Sequence, residues 1–246
     1  MNTTSDVLLL EFFDDSRKLI QISNQPSLHF GTKEISLAGN EMQLEIIHSL
    51  KNFKVLEYLN FSNLKNISME NFYCDCGFKL YLIEIDLSRN MLSRSFSTFF
   101  SQFSQLKRLN LSNCDLETGL LEFLGSINLQ ISVKKLELAK NNLTKFDIYQ
   151  IYLLSNLKYL TVSFDGELCS DFIKTCGYLK FLNLETIVLV STNANSDICN
   201  FLMIQPSLKN LKFIVCNIEA ELWTDGFITF ANSLETVTVT NNMLSE

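Results

Sequence analysis

The register L-x-x-L-x-L-x-x-N/C-x-L recurs along nearly the whole chain, starting at Thr32, Leu56, Leu82, Leu106, Val133, Leu157, Leu184, Leu208 and Leu234. Successive starts lie 24, 26, 24, 27, 24, 27, 24 and 26 residues apart. A fixed period of this size marks a solenoid, in which each unit buries its apolar face only against its neighbours. Within a unit such as Val133–Leu143, Leu136 and Leu138 are two apart, so both point inward from a short strand while Lys135, Glu137 and Ala139 alternate outward. The expected fold is therefore α/β: a horseshoe with a parallel concave β-sheet, convex helices and loops, and about nine repeats.

At the N/C position the chain turns off the strand. The slot runs Asn40, Leu64, Asn90, Cys114, Asn141, Asp165, Thr192, Cys216 and Asn242. An asparagine amide there can satisfy backbone groups that the turn leaves unpaired, and stacked copies form a ladder. Short units follow the odd starts and long units the even ones, so the structural unit is a pair whose halves need different convex segments. Residues 41–50 place Leu44, Ile47 and Leu50 on one helical face, and residues 120–124 and 172–179 behave likewise. Residues 96–103 have helical spacing too, though serine and threonine are poor helix formers. Twenty phenylalanines fit a core filled by aromatic rings between strand and helix.

This pattern resembles the leucine-rich repeat proteins, and the Asn/Cys alternation resembles their ribonuclease-inhibitor-like branch. Long units such as Leu106–Leu116 are also similar to the cysteine-containing repeats of F-box substrate receptors. The resemblance covers Thr32 onward. Units are shorter and less regular than in the inhibitor branch, and Leu8–Phe13 is too short a fragment for an F-box. Residues 1–31 leave the register and are expected to cap the first repeat, by a helix or an irregular strand, with residues 32–246 forming the repeat domain. Gln25-Pro26-Ser27-Leu28 recurs as Gln205-Pro206-Ser207-Leu208, which suggests that the cap derives from a degenerate repeat. The strand of the last repeat is expected to present an open edge, which a partner or a second copy could cover.

No catalytic constellation is legible. His29 and His48 are the only histidines, and there is no phosphate-binding glycine loop, calcium loop or zinc ligand set. Cys74-Asp75-Cys76 is too tight for a zinc pair and has no second pair. No metal or cofactor is expected. A GTPase-activating role, or a substrate receptor of a ubiquitin ligase, would rest on fold analogy alone. Seven cysteines without regular spacing read as reduced thiols. No apolar run reaches membrane-span length, and the N-terminus does not read as a signal peptide. A cytoplasmic or nuclear location is expected, and the sequons at Asn2, Asn60, Asn66, Asn110 and Asn142 are read as chance.

Without chemistry, the concave face is the place to look. Small polar residues usually follow the strand, as at Ser62, Ser88, Ser112 and Ser163, but repeats seven and eight carry Val190 and Ile214 there. With Tyr159, Phe164, Val188 and Val215 they make an apolar cluster, the expected anchor for a protein partner. Lys107, Arg108, Lys134, Lys135, Lys140 and Lys158 form a basic stripe on repeats four to six. On a chain of net charge −7, that stripe could meet an acidic protein, or the RNA of a large ribonucleoprotein assembly. The expected function is a non-enzymatic interaction module.

Overall fold

The computed structural model describes residues 6–12, 16–41, 43–65, 81–92, 99–100, 102–116, 120–125, 127–164, 178–219, 233–241 and 243–245. Strands β1 (Val7–Leu9), β2 (Glu34–Ser36), β3 (Tyr58–Asn60), β4 (Glu84–Asp86), β5 (Arg108–Asn110), β6 (Lys135–Glu137), β7 (Tyr159–Val162) and β8 (Thr186–Val190) stack in chain order. After the two-residue β9 (Asn193–Ala194), the same sheet continues through β10 (Asn210–Ile214). Beyond β11 (Asn217–Glu219) comes its last described strand, β12 (Thr236–Thr240). Every pairing in this ten-stranded sheet is parallel and in register, for example Leu109 opposite Leu136 and Leu160 opposite Ile187. A strand of this sheet follows each of the nine register starts. Strand β1 adds a tenth, with Leu8 opposite Ile35, so the N-terminal segment joins the sheet and is followed by α1 (Ser16–Ser23) and α2 (Pro26–His29).

The outer segments are helical where described: α3 (Leu44–Leu50), a 3-10 turn at Leu120–Gly125 leading into α4 (Ile127–Ser132), α5 (Lys145–Tyr152) and α6 (Ser196–Met203). Short units carry a single helix in α3, α5 and α6, whereas the described long unit needs the extra 3-10 turn. The Asp147 carboxylate accepts from the Thr144 N–H at 2.8 Å and starts α5, and the Asn195 side chain accepts from the Ile198 N–H to start α6. Residues 172–179 lie almost wholly outside the described residues. Of 96–103, residues 99, 100, 102 and 103 are described; the three phenylalanines among them are buried, and Phe99 meets the other two edge to face. Phe53, Phe61 and Phe213 are likewise fully buried between strands and helices.

The slot works as a ladder. Asn141 is buried; its Nδ2 donates to Leu111 O at 2.7 Å and Leu138 O at 3.0 Å, while its Oδ1 accepts from the Cys114 N–H at 2.8 Å. Asn90 repeats the arrangement with Phe61 O, Leu87 O and the Leu64 N–H, and Asn40 donates to Leu10 O and Leu37 O. In the alternate slots the Cys114 thiol donates to Leu87 O and the Cys216 thiol to Leu189 O. Burial pushes the Cys114 thiol up to about 11 and raises Cys216, so both are held as protonated structural groups.

One residue before the slot, the backbone turns left-handed: Gly39, Asn63, Arg89, Asn113, Lys140, Ser191, Val215 and Asn241 all have φ between 51° and 73°. Repeat six breaks the rule. Phe164 does not take positive φ, and its N–H donates to Thr192 Oγ1, as slot residues do elsewhere. Phe164 therefore fills the slot one residue early, and the expectation of Asp165 there is corrected; Asp165 lies outside the described residues. The shortened turn also changes the preceding link. The Lys140 N–H bonds the Ser163 hydroxyl, whereas the Asn113 N–H bonds the Ala139 carbonyl. Beyond this point the fold changes. The concave strands lengthen from three residues to five, and β11 pairs with β9 on one side and with β13 (Met243–Ser245) on the other in a second, three-stranded parallel sheet.

Candidate interaction face

The concave sheet displays three zones. Over repeats one to three the outward side chains are mainly acidic or polar, and Glu34, Tyr58, Asn60, Glu84 and Asp86 line a depression of about 260 Å³. Over repeats four to six the five lysines and one arginine of the stripe gather among Glu137 and Thr161, and over seven and eight Val190 and Ile214 stand beside Thr186, Asn210 and exposed Lys212.

The basic zone is partly neutralised within the face. Arg108 pairs with Glu84, and its guanidinium lies 5.4 Å from the centre of the Tyr58 ring. The Glu84 hydrogen bond raises the Arg108 pKa above its ordinary value. Lys135 is 3.1 Å from Glu137 and sits 4.9 Å over the Tyr159 ring. Lys158 bonds Glu185 at 2.6 Å, which lowers the Glu185 pKa. Lys107, Lys134 and Lys140 are exposed and have no ion-pair partner among the described residues. Of the six basic residues expected to form one stripe, three are thus committed to neighbours.

The apolar cluster is also smaller than the sequence suggests. Phe164, expected on the surface, is 2% exposed and packs edge to face on Phe201, because the early turn carries it into the core. Val188 is likewise 2% exposed, buried within the sheet's concave side between Thr161 and Lys212, so it supports the face without being presented on it. Neither can anchor a partner directly, and both site expectations are corrected. Tyr159, Val190 and Ile214 are half-buried, with Val190 directly opposite Ile214, and Val215 is 55% exposed.

Val215 stands out for its backbone. It is a β-branched residue at φ 55°, a conformation its side chain disfavours and asparagine or glycine accept more readily. Such strain costs about 1–3 kcal/mol, and it concentrates at functional positions.

Two features escaped the sequence reading. The cross-strand network Tyr58–Glu84–Arg108, extended by Asn110 donating to Asp86 at 2.9 Å, was visible in principle as alternating residue types at one strand position. On the flank beside α5, exposed Tyr152, Leu153 and Leu182 border a cavity of about 270 Å³ that reaches Phe181; no periodic signal marks this spot.

No family model matches the sequence, and no curated protein matches it. Among solved structures, the chain is similar to one described as the crystal structure of a TLR13–ssRNA13 complex. The TM-score is 0.61 at 16% identity, over 90% of this chain and 31% of that one. The fold is a leucine-rich repeat solenoid. The chain spans under a third of the length of that neighbour, and at this identity the likeness establishes the solenoid's architecture alone. Among the described residues, no helix is long and apolar enough to cross a membrane, and no group of three or more His, Cys, Asp or Glu could hold a metal ion.

Proposed function

We propose that this solenoid is a non-enzymatic binding module that takes a protein partner on the C-terminal part of its concave face, through Val190, Ile214 and Val215 with Tyr159 at the border. The observation that carries the reading is Val215: an exposed apolar side chain held at positive φ beside Val190 and Ile214, whose position is serine, alanine or threonine in the other repeats. A rigid parallel sheet loses little ordering entropy on binding, so a small apolar centre suffices when charged surroundings set orientation. Lys107, Lys134 and Lys140, which have no ion-pair partner among the described residues, supply that orientation. The protonated, buried cysteines among the described residues fit a reducing compartment, and the Asn/Cys alternation favours the ribonuclease-inhibitor-like branch.

A second reading rests on the same three lysines. The solved neighbour is described as a complex with ssRNA, and Lys107 with Lys134 could face phosphate here in a ribonucleoprotein assembly. Paired variants separate the two. With Val190→Asp and Ile214→Asp together, at least a tenfold loss of the co-purifying protein is expected while the folded signal is kept. Lys107→Glu with Lys134→Glu is expected to lower affinity by only a few-fold. The reverse order, with loss on nuclease treatment, would move the assignment to RNA.

A further inference from the structure

On the flank where the concave strands begin, two loops enclose a preformed cavity of about 270 Å³. Residues 152–155 and Leu157, between the end of α5 and β7, form one wall, and residues 180–183, ahead of β8, form the other. Leu154, Leu157 and Phe181 make a buried apolar floor, and exposed Tyr152, Leu153 and Leu182 make the rim. The walls are braced from behind. Buried Gln205 accepts from the Phe181 N–H at 2.8 Å and donates to Leu179 O at 3.0 Å and Phe201 O at 2.8 Å. Across the gap Asn183 donates to Ser155 O at 2.8 Å, while Ser155 ties back to Gln130 O and Ser207 to Leu182 O. The Phe181 ring meets Tyr152 edge to face at 5.5 Å. Walls and braces all lie within the described residues 127–164 and 178–219. A cavity already shaped in this way costs little ordering to fill.

Volume and charge together select the occupant. The cavity falls below the roughly 300–1,000 Å³ of pockets that enclose a whole small ligand, so it suits a single anchoring side chain. Its walls present the rings of Tyr152 and Phe181, which favour an aromatic guest through edge and offset contacts. Ser155 and Asn183 are engaged by the loops themselves, whereas Lys180 is exposed and has no ion-pair partner among the described residues. Residues 148–164 and 178–184 contain no Asp or Glu, on a chain of net charge −7, and the next residue, Glu185, already bonds Lys158. The mouth of the pocket is thus positive, with no carboxylate of either loop to neutralise it. We propose that this pocket takes an aromatic side chain from an acidic segment of a partner protein. The ring enters between Tyr152 and Leu182, and a neighbouring carboxylate meets Lys180. The site precedes its strands, whereas Val190 and Ile214 end theirs, so it stands independently of the concave partner site.

Charge reversal at the mouth tests this directly. The full chain, labelled at its leucine methyl groups, is titrated by NMR with acetyl-Asp-Trp-Asp-amide and, separately, with acetyl-Lys-Trp-Lys-amide. The acidic peptide is expected to shift the signals of Leu153, Leu154 and Leu182 saturably and to bind at least fivefold tighter than the basic one. Lys180→Glu is expected to reverse that order, and Leu182→Ala to weaken both peptides alike by at least threefold. Both residues are exposed, and unchanged methyl signals away from the pocket confirm that each variant folds. An acidic peptide that leaves these methyl groups unmoved, or a preference that survives Lys180→Glu, would overturn the proposal. So would pocket signals that respond instead to octanoate, which would give the cavity to an acyl chain, or to dilution of the chain alone, which would give it to a second copy.

Discussion

Replacing Asn141 by alanine is expected to lower the free energy of unfolding by roughly 3 kcal/mol or more, because one side chain serves three buried backbone groups. Its amide donates to the carbonyls of Leu111 and Leu138, and its carbonyl oxygen accepts from the Cys114 N–H. Alanine removes all three partners from a site that is 3% exposed, where water cannot replace them without opening the turn. Asn141→Cys should cost less. The protein already uses cysteine in this slot at Cys114 and Cys216, where the thiol keeps a weak donor to the preceding repeat. A denaturant titration reads the result as a lower midpoint for alanine, with cysteine between alanine and wild type. Equal midpoints for alanine and wild type would mean that the ladder does not carry stability.

Phe103→Ala is expected to cost about 3–5 kcal/mol, the range for deleting a fully buried aromatic ring. Phe103 is 0% exposed and meets the Phe99 ring edge to face at 4.8 Å. Phe103→Leu keeps most of the volume and should cost less than half as much. A solenoid buries each unit only against its neighbours, so the alanine variant should melt the middle first. Hydrogen exchange would then show β4 and β5 opening before β8 and β10. Uniform loss of protection along the chain would contradict that local cooperativity.

The fold was legible because its signal is periodic. Leucines two apart fix inward strand positions, and the strand after every register start lies in one parallel sheet. The asparagine slot was legible for the same reason, since Asn40, Asn90 and Asn141 recur at the turn and perform one task. What the sequence hid is aperiodic. Nothing in Phe164-Asp165 announces that the turn in repeat six closes one residue early, and that single slip sends Phe164 into the core. Val188 alternates outward by count, yet β7 and β10 flank it closely enough to bury it. The basic stripe looked continuous because the sequence does not display cross-strand neighbours. Glu84 and Glu185 lie beside Arg108 and Lys158 only once the repeats are stacked, whereas Glu137 meets Lys135 along its own strand. The strain at Val215 is a property of the turn, and the residue type acquires meaning only when its φ is known.

That strain gives the most direct test of the concave apolar site. Val215→Asn relieves the backbone and removes the exposed apolar group in one step. The variant should be more stable than wild type by about 1 kcal/mol, the scale of relieved left-handed strain, and should retain at least fivefold less protein partner. Both quantities come from one preparation, by thermal melting and by quantifying the partner held at matched protein concentration. Higher stability with weaker retention is the result expected of a residue kept for binding at a cost to folding. Higher stability with unchanged retention would contradict the assignment and leave Val215 an ordinary strained turn.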